Sequence, residues 1–86
     1  MIENEVALIV GAGMGLSASI ARLCKSKGMK IALAARNIDK LANLAKEIDA
    51  QTYNCDASQP NDVAAMFSGV TRDLGTPNLV VYNPSN

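Results

Sequence analysis

Four short apolar runs separated by three stretches of helical spacing limit this chain to very few folds. Residues 5–10 carry Val-Ala-Leu-Ile-Val and stop at Gly11. A strand with one wet face alternates polar and apolar side chains, so an unbroken run of this length predicts a strand buried on both faces. Residues 29–35 and 78–82 repeat the pattern, and residues 51–55 form a shorter, more polar version. Between the first two runs, Leu16, Ile20, Leu23 and Cys24 recur at helical spacing. Lys25 and Lys27 then suit a helix C-terminus, and Gly28 supplies the stop. Asn37 can cap a second helix with the apolar face Leu41, Leu44, Ala45 and Ile48. Ser58 is the predicted cap of a third, with Pro60 in its first turn. Its predicted core face is Val63, Met66, Phe67, Val70 and Leu74, closed by Gly75 and Pro77.

The order is therefore β-α-β-α-β-α-β. Helix-length connections between strands imply a parallel sheet. Right-handed crossovers put the first two helices on one face if the strands run 3-2-1, and the third helix on the other face if strand 4 lies beyond strand 1. The expected fold is α/β: a Rossmann-like doubly wound parallel sheet of four strands and three helices in order 3-2-1-4. Its switch point falls between strands 1 and 4.

Composition removes the competing classes. Half the chain is apolar (49%), and 8 basic residues balance 8 acidic ones, so neither disorder nor a basic nucleic-acid surface is expected. No apolar run approaches the roughly 18 residues of a membrane span, and no basic stretch with a small-residue cleavage site opens the chain, so a secretory signal is not expected. Two cysteines, Cys24 and Cys55, are too few for a disulfide framework and fit a reduced, cytoplasmic setting. Both read as core thiols. Neither they nor any other residues have metal-ligand spacing, and the chain contains no histidine.

The chemistry points to the glycines. Gly11 follows a strand, Gly15 opens a helix, and Gly13 lies between them. A tight turn there needs positive φ, a phosphate needs backbone N–H groups with no Cβ in the way, and the helix N-terminus offers unpaired donors. A G-x-G-x-x-G reading from Gly11 meets Leu16, and a G-x-x-G-x-x-G reading meets Met14. A G-x-x-x-G-x-G reading takes Gly11 and Gly15 and then meets Ser17, which is at least small. The alternative is a tight strand-to-helix turn that holds no ligand.

The segment Val10-Gly-Ala-Gly-Met-Gly-Leu-Ser17 resembles the cofactor loop T-G-x-x-x-G-x-G of the short-chain dehydrogenase/reductase family. Three further segments keep that family's order and spacing: Ala34-Ala35-Arg36, Asp56-Ala57-Ser58, and Tyr82-Asn83-Pro84-Ser85 where the family has Asn-Asn-Ala-Gly. The resemblance covers the whole chain. It implies that residues 1–86 are the N-terminal part of a single NAD(P)-binding Rossmann domain. It also implies cofactor contacts at Gly11, Gly13, Met14, Gly15, Leu16, Arg36, Asp56, Ala57 and Asn83. The sequence departs from the family pattern at Val10, Ser17, Tyr82, Pro84 and Ser85.

A carboxylate at the end of the second strand ordinarily selects the ribose 2′-hydroxyl of NAD. Ala35 stands there and cannot accept a hydrogen bond, while Arg36 follows with phosphate-binding donors. In the resembling family an Arg at this point accompanies NADP, so NADP is expected over NAD; the other reading is a solvated arginine. Asp56 could accept from the adenine amino group or brace the turn into the third helix. Asn83 could serve the cofactor or merely end a strand before Pro84.

Hydride transfer to a carbonyl also needs an acid to protonate the developing alkoxide. The family uses the Tyr of Tyr-x-x-x-Lys, helped by a Ser. Four residues beyond Tyr53 is Ala57, and four beyond Tyr82 is Asn86. No catalytic residue is assigned, and the expectation is a cofactor-binding portion of an oxidoreductase, inactive alone, that would meet a carbonyl or alcohol substrate only in a full-length form. The alternative is a non-catalytic dinucleotide-binding module or subunit. An open edge at the fourth strand would favour self-association.

Overall fold

The computed structural model describes residues 4–11 and 15–83. In chain order these form β1 (Val6–Val10), α1 (Leu16–Ser26), β2 (Lys30–Ala35), a 3₁₀ turn (Ile38–Leu41), α2 (Ala42–Ile48), β3 (Gln51–Asn54), α3 (Pro60–Asp73) and β4 (Leu79–Tyr82). The four strands make one sheet in the order β3-β2-β1-β4, and every pairing is parallel. This is the expected doubly wound arrangement.

β1 lies between two partners, with Leu8 opposite Ala32 of β2 and opposite Val80 of β4. All five of its residues are buried. Alternation along the strand splits them between two cores. Ala7 and Ile9 meet α1, α2, Ile31 and Leu33 on one face. Val6, Leu8 and Val10 meet Ala32, Ala34, Cys55 and the α3 residues Met66 and Val70 on the other. Asn78 sets the start of β4 twice: its N–H donates to the Val6 carbonyl, and its Oδ1 accepts the Val6 N–H, both at 2.8 Å.

Three local expectations are corrected. In α1 the large apolar residues do not form the core face: Leu16 and Leu23 are 69% and 58% exposed, whereas Ala21 is fully buried. The buried stripe is Ser17, Ala18, Ala21 and Cys24, with Ile20 packed at its margin. Small side chains let the helix axis lie close to the sheet, and the larger ones are turned away. Second, Ser58 does not cap α3. Gln59 occupies that position with Pro60 next, and the Ser58 hydroxyl instead donates to Asp56 Oδ1 at 2.7 Å. Third, Phe67 stays at the surface, because Gly69 takes its place in the buried stripe with Met66 and Val70. A Cβ on Gly69 would stand 3.3 Å from Tyr53 Cε1, so the β3 ring packs directly on the α3 backbone.

The second helix follows expectation. Asn37 Oδ1 accepts the Asp39 N–H at 3.1 Å, which starts the 3₁₀ turn that leads into α2. Leu41, Leu44 and Ile48 are buried beneath it. β4 is the thinly covered strand: Leu79, Val80 and Tyr82 are exposed, and its outer edge has no partner among the described residues.

The corrected α1 face yields a test by urea unfolding. Ala21→Leu must overpack the helix–sheet contact and is expected to cost about 1–3 kcal/mol. Leu23→Ser lies on the outer face and should stay within about 0.5 kcal/mol of the parent. The reverse ranking would restore the large-residue face.

Candidate functional site

Parallel pairing brings the carboxyl ends of all four strands to one edge of the sheet, and the described residues among those flagged in the sequence lie there. Gly11 leaves β1 with φ +83, while its N–H still donates to the Ala34 carbonyl at 2.8 Å. Gly15 precedes α1 with φ +77 and ψ −132, a conformation that side-chain-bearing residues rarely adopt. Its chain neighbours aside, no heavy atom of the described residues lies within 4 Å of a Cβ built on Gly15. Gly13 and Met14 lie outside the described residues.

The first turn of α1 carries no acidic residue, and Gly15 gives it no side-chain cap. Its partial positive charge is therefore uncompensated by its own helix, and Gly15 and Leu16 at its start are exposed. Such an end favours an anion.

Around the edge, Ala35 ends β2 half-buried and Arg36 follows it, exposed. Asp56 follows β3 after the buried Cys55. Its Oδ1 accepts both the hydroxyl of Ser58, at 2.7 Å, and the Ser58 N–H, at 3.0 Å. These bonds hold the Asp56 carboxyl below the usual carboxylate range, and the nearby Arg36 charge adds to the effect. The Asp56 N–H donates to Asp62 Oδ2 in the first turn of α3 at 3.2 Å. Asp56 thus braces the turn, as one of its two readings required, and the hydrogen bonds to Ser58 engage only its Oδ1. The Ala57 carbonyl accepts the Tyr82 hydroxyl at 3.4 Å, which links the end of β4 to the β3–α3 loop.

Asn83 continues the β4 pairing by donating its N–H to the Val10 carbonyl at 2.9 Å. Its Nδ2 donates to Ser17 Oγ at 3.3 Å. Sequence reasoning treated Ser17 only as an imperfect glycine and did not foresee this bond. The available signal was the coincidence of a hydroxyl at position 17 with an amide just after the fourth strand.

Comparison with known proteins agrees with this geometry. A family model described as short chain dehydrogenase matches residues 5–85. An uncharacterized oxidoreductase of Caenorhabditis elegans is 35% identical over 89 residues, covering 95% of this chain and 28% of that protein. A metagenomic short-chain oxidoreductase solved in complex with NADP superposes with a TM-score of 0.91 at 32% identity, covering 98% of this chain and 40% of that one. A 3-ketoacyl-(acyl-carrier-protein) reductase from Brucella melitensis complexed with NADH gives 0.85 at 28% identity, covering 93% and 34%. The chain thus spans well under half the length of each of these proteins.

Among the described residues no group of three or more His, Cys, Asp or Glu could hold a metal. No described helix is long and apolar enough to cross a membrane. Both thiols are buried, which raises their pKa and makes them poor nucleophiles. Tyr53 is tied down by structure: its hydroxyl donates to Asp73 Oδ2 at 3.0 Å and so joins β3 to the end of α3. Burial, and then the hydrogen bond and charge of Asp73, push its pKa up to about 12. The folded chain therefore holds this proton more tightly than the unfolded chain. The associated stability is complete below about pH 10 and is lost as the pH rises towards 12. In a Tyr82→Phe background, Asp73→Asn should move the Tyr53 phenolate transition, followed by ultraviolet absorbance, back towards its ordinary value. A transition that stays put would remove the Asp73 charge from the explanation.

Proposed function

The chain belongs to the short-chain dehydrogenase family, and we propose that residues 1–86 form the cofactor-binding, N-terminal part of a single Rossmann domain in an oxidoreductase that prefers NADP to NAD. The cofactor class is supported by the exposed, positively polarised turn at Gly15 and by similar structures solved with NADP and with NADH. In this reading the backbone of Gly11, Gly13, Met14, Gly15 and Leu16 cradles the pyrophosphate. Asp56 and Ala57 flank the adenine, with the Asp56 oxygen not used by Ser58 available to its amino group. Asn83 borders the nicotinamide side. When bound, the nicotinamide would give or take the hydride. The carbonyl or alcohol substrate would meet it only in a longer protein, because these 86 residues contain neither Tyr-x-x-x-Lys nor a histidine. The free thiols suit a cytoplasmic setting.

The preference for NADP rests on one observation. Where β2 ends, the half-buried Ala35 offers no acceptor to a 2′-hydroxyl, and the exposed Arg36 beside it can donate to a 2′-phosphate. A guanidinium stays charged throughout the physiological range and binds phosphate in a fixed fork. Titration by cofactor fluorescence tests this. Arg36→Ala should weaken NADPH binding roughly ten- to hundredfold, the range of a charge-assisted hydrogen bond, and leave NADH binding within a factor of about three. Equal losses for the two nucleotides would overturn the preference. NADPH oxidation with any carbonyl substrate by the 86-residue chain would overturn its assignment as a cofactor-binding part inactive alone.

A further inference from the structure

Ser17 is the one buried polar side chain among the described residues, with 2% of its surface exposed. It lies in the first turn of α1, in the stripe that faces the sheet. The last sheet hydrogen bond between β1 and β4 runs from the Asn83 N–H to the Val10 carbonyl. Beyond it lie the glycine that leaves β1 and the end of the described chain. The Asn83 amide reaches Ser17 Oγ at 3.3 Å. One side-chain hydrogen bond thus joins the helix end of the glycine loop to the loop after β4, across the switch point of the sheet.

We propose that Ser17 and Asn83 form a clasp that positions the glycine loop for the dinucleotide, and that cofactor affinity depends on it; this rests on the dinucleotide-binding reading above. Glycine loses more backbone entropy on ordering than any other residue, and the loop turns on Gly11 and Gly15, both at positive φ. Fixing its exit against the neighbouring strand end removes part of that cost before the ligand arrives. A glycine at 17 would have no side-chain oxygen to accept from the Asn83 amide. The small neighbours Ala18 and Ala21 keep α1 close enough to the sheet for a serine hydroxyl to suffice. Position 17 is then an alternative solution to the third glycine of the motif, in which helix–strand proximity is retained and a bond is added. Ser17 and Asn83 are positioning residues in this account.

The counterintuitive consequence is that restoring the family's glycine should harm binding. Measured by NADPH fluorescence titration, Ser17→Gly, Ser17→Ala and Asn83→Ala should each weaken affinity about three- to tenfold, the range of one neutral hydrogen bond. The double variant Ser17→Ala/Asn83→Ala should be no weaker than Asn83→Ala alone, because the bond to Ser17 is already gone in that single variant. Parent-like affinity in Ser17→Ala and Ser17→Gly, or losses that multiply in the double variant, would overturn the clasp's role. The bond itself can be read without cofactor, from the Asn83 side-chain amide in a nitrogen–proton NMR spectrum. Its two protons should be shifted from free-amide positions in the parent and return to them in Ser17→Ala, while the backbone resonances show that the variant is folded. A solvent-like Asn83 amide in the parent refutes the clasp whatever the nucleotide does. A shifted amide in a parent protein that fails to bind NADPH overturns the dinucleotide reading, and the dependence with it.

Discussion

The fold depends on β1 having nowhere to meet water. It is hydrogen-bonded to β2 on one edge and β4 on the other, and both of its faces are covered. A strand in that position can carry no polar side chain without a partner, and Val6 to Val10 carries none. Its backbone groups must be satisfied until the chain leaves the sheet. Gly11 manages the departure: its N–H is still paired with Ala34 while its φ has already turned positive. Helices must then lie on both faces, which fixes α1 and α2 on one side and α3 on the other. The same constraint explains why the shortest side chains of α1 are the buried ones. Close approach of a helix to a flat, filled sheet favours alanine and serine over leucine.

The site is a consequence of parallelism. Residues 11, 36, 56 and 83 are far apart in sequence, yet each follows the end of a strand, and parallel strands end together. The electrostatics divide along that edge. The α1 terminus and Arg36 are positive, while Asp56 is held ionised by Ser58 beside Arg36. An elongated ligand with a central anionic group, and with a hydrogen-bonding base at one end, matches this division.

Much of this was legible in the sequence, for definable reasons. Strand and helix order showed because unbroken apolar runs and helical spacing are one-dimensional signals. Gly11 and Gly15 showed because the need for positive φ is met by few residues. Arg36 showed because its charge follows a strand end. The face of α1 did not show. Hydrophobicity ranks Leu16 and Leu23 above Ala18 and Ala21, but the residues that α1 buries against the sheet are the small ones, which allow close approach. Phe67 misled in the same way, because it was Gly69 that allowed Tyr53 to pack on α3. Ser58 looked like a cap because capping is a local pattern, whereas its hydroxyl was claimed by Asp56 two residues earlier. The Ser17–Asn83 bond was the least legible, since its partners are 66 residues apart and neither is unusual alone.

That last pair bears on how binding is divided between backbone and side chains. A pyrophosphate held by backbone N–H groups is recognised by geometry, so the residues around it can vary as long as the turn keeps its shape. Selectivity between cofactors must then come from outside the loop, and on the proposed reading it falls to Arg36. The shape of the loop also has to be maintained, either by having no side chains or by tying the loop down. A glycine at position 17 would serve the first route, and Ser17 takes the second at almost no cost in volume. The two routes differ in their dependence: a loop kept in shape by absent side chains needs no partner, whereas one kept by a hydrogen bond relies on the amide across the switch point. The dependence is unequal: without Ser17 the exposed Asn83 amide can turn to water, whereas without Asn83 the buried Ser17 hydroxyl loses the partner it has across the switch point.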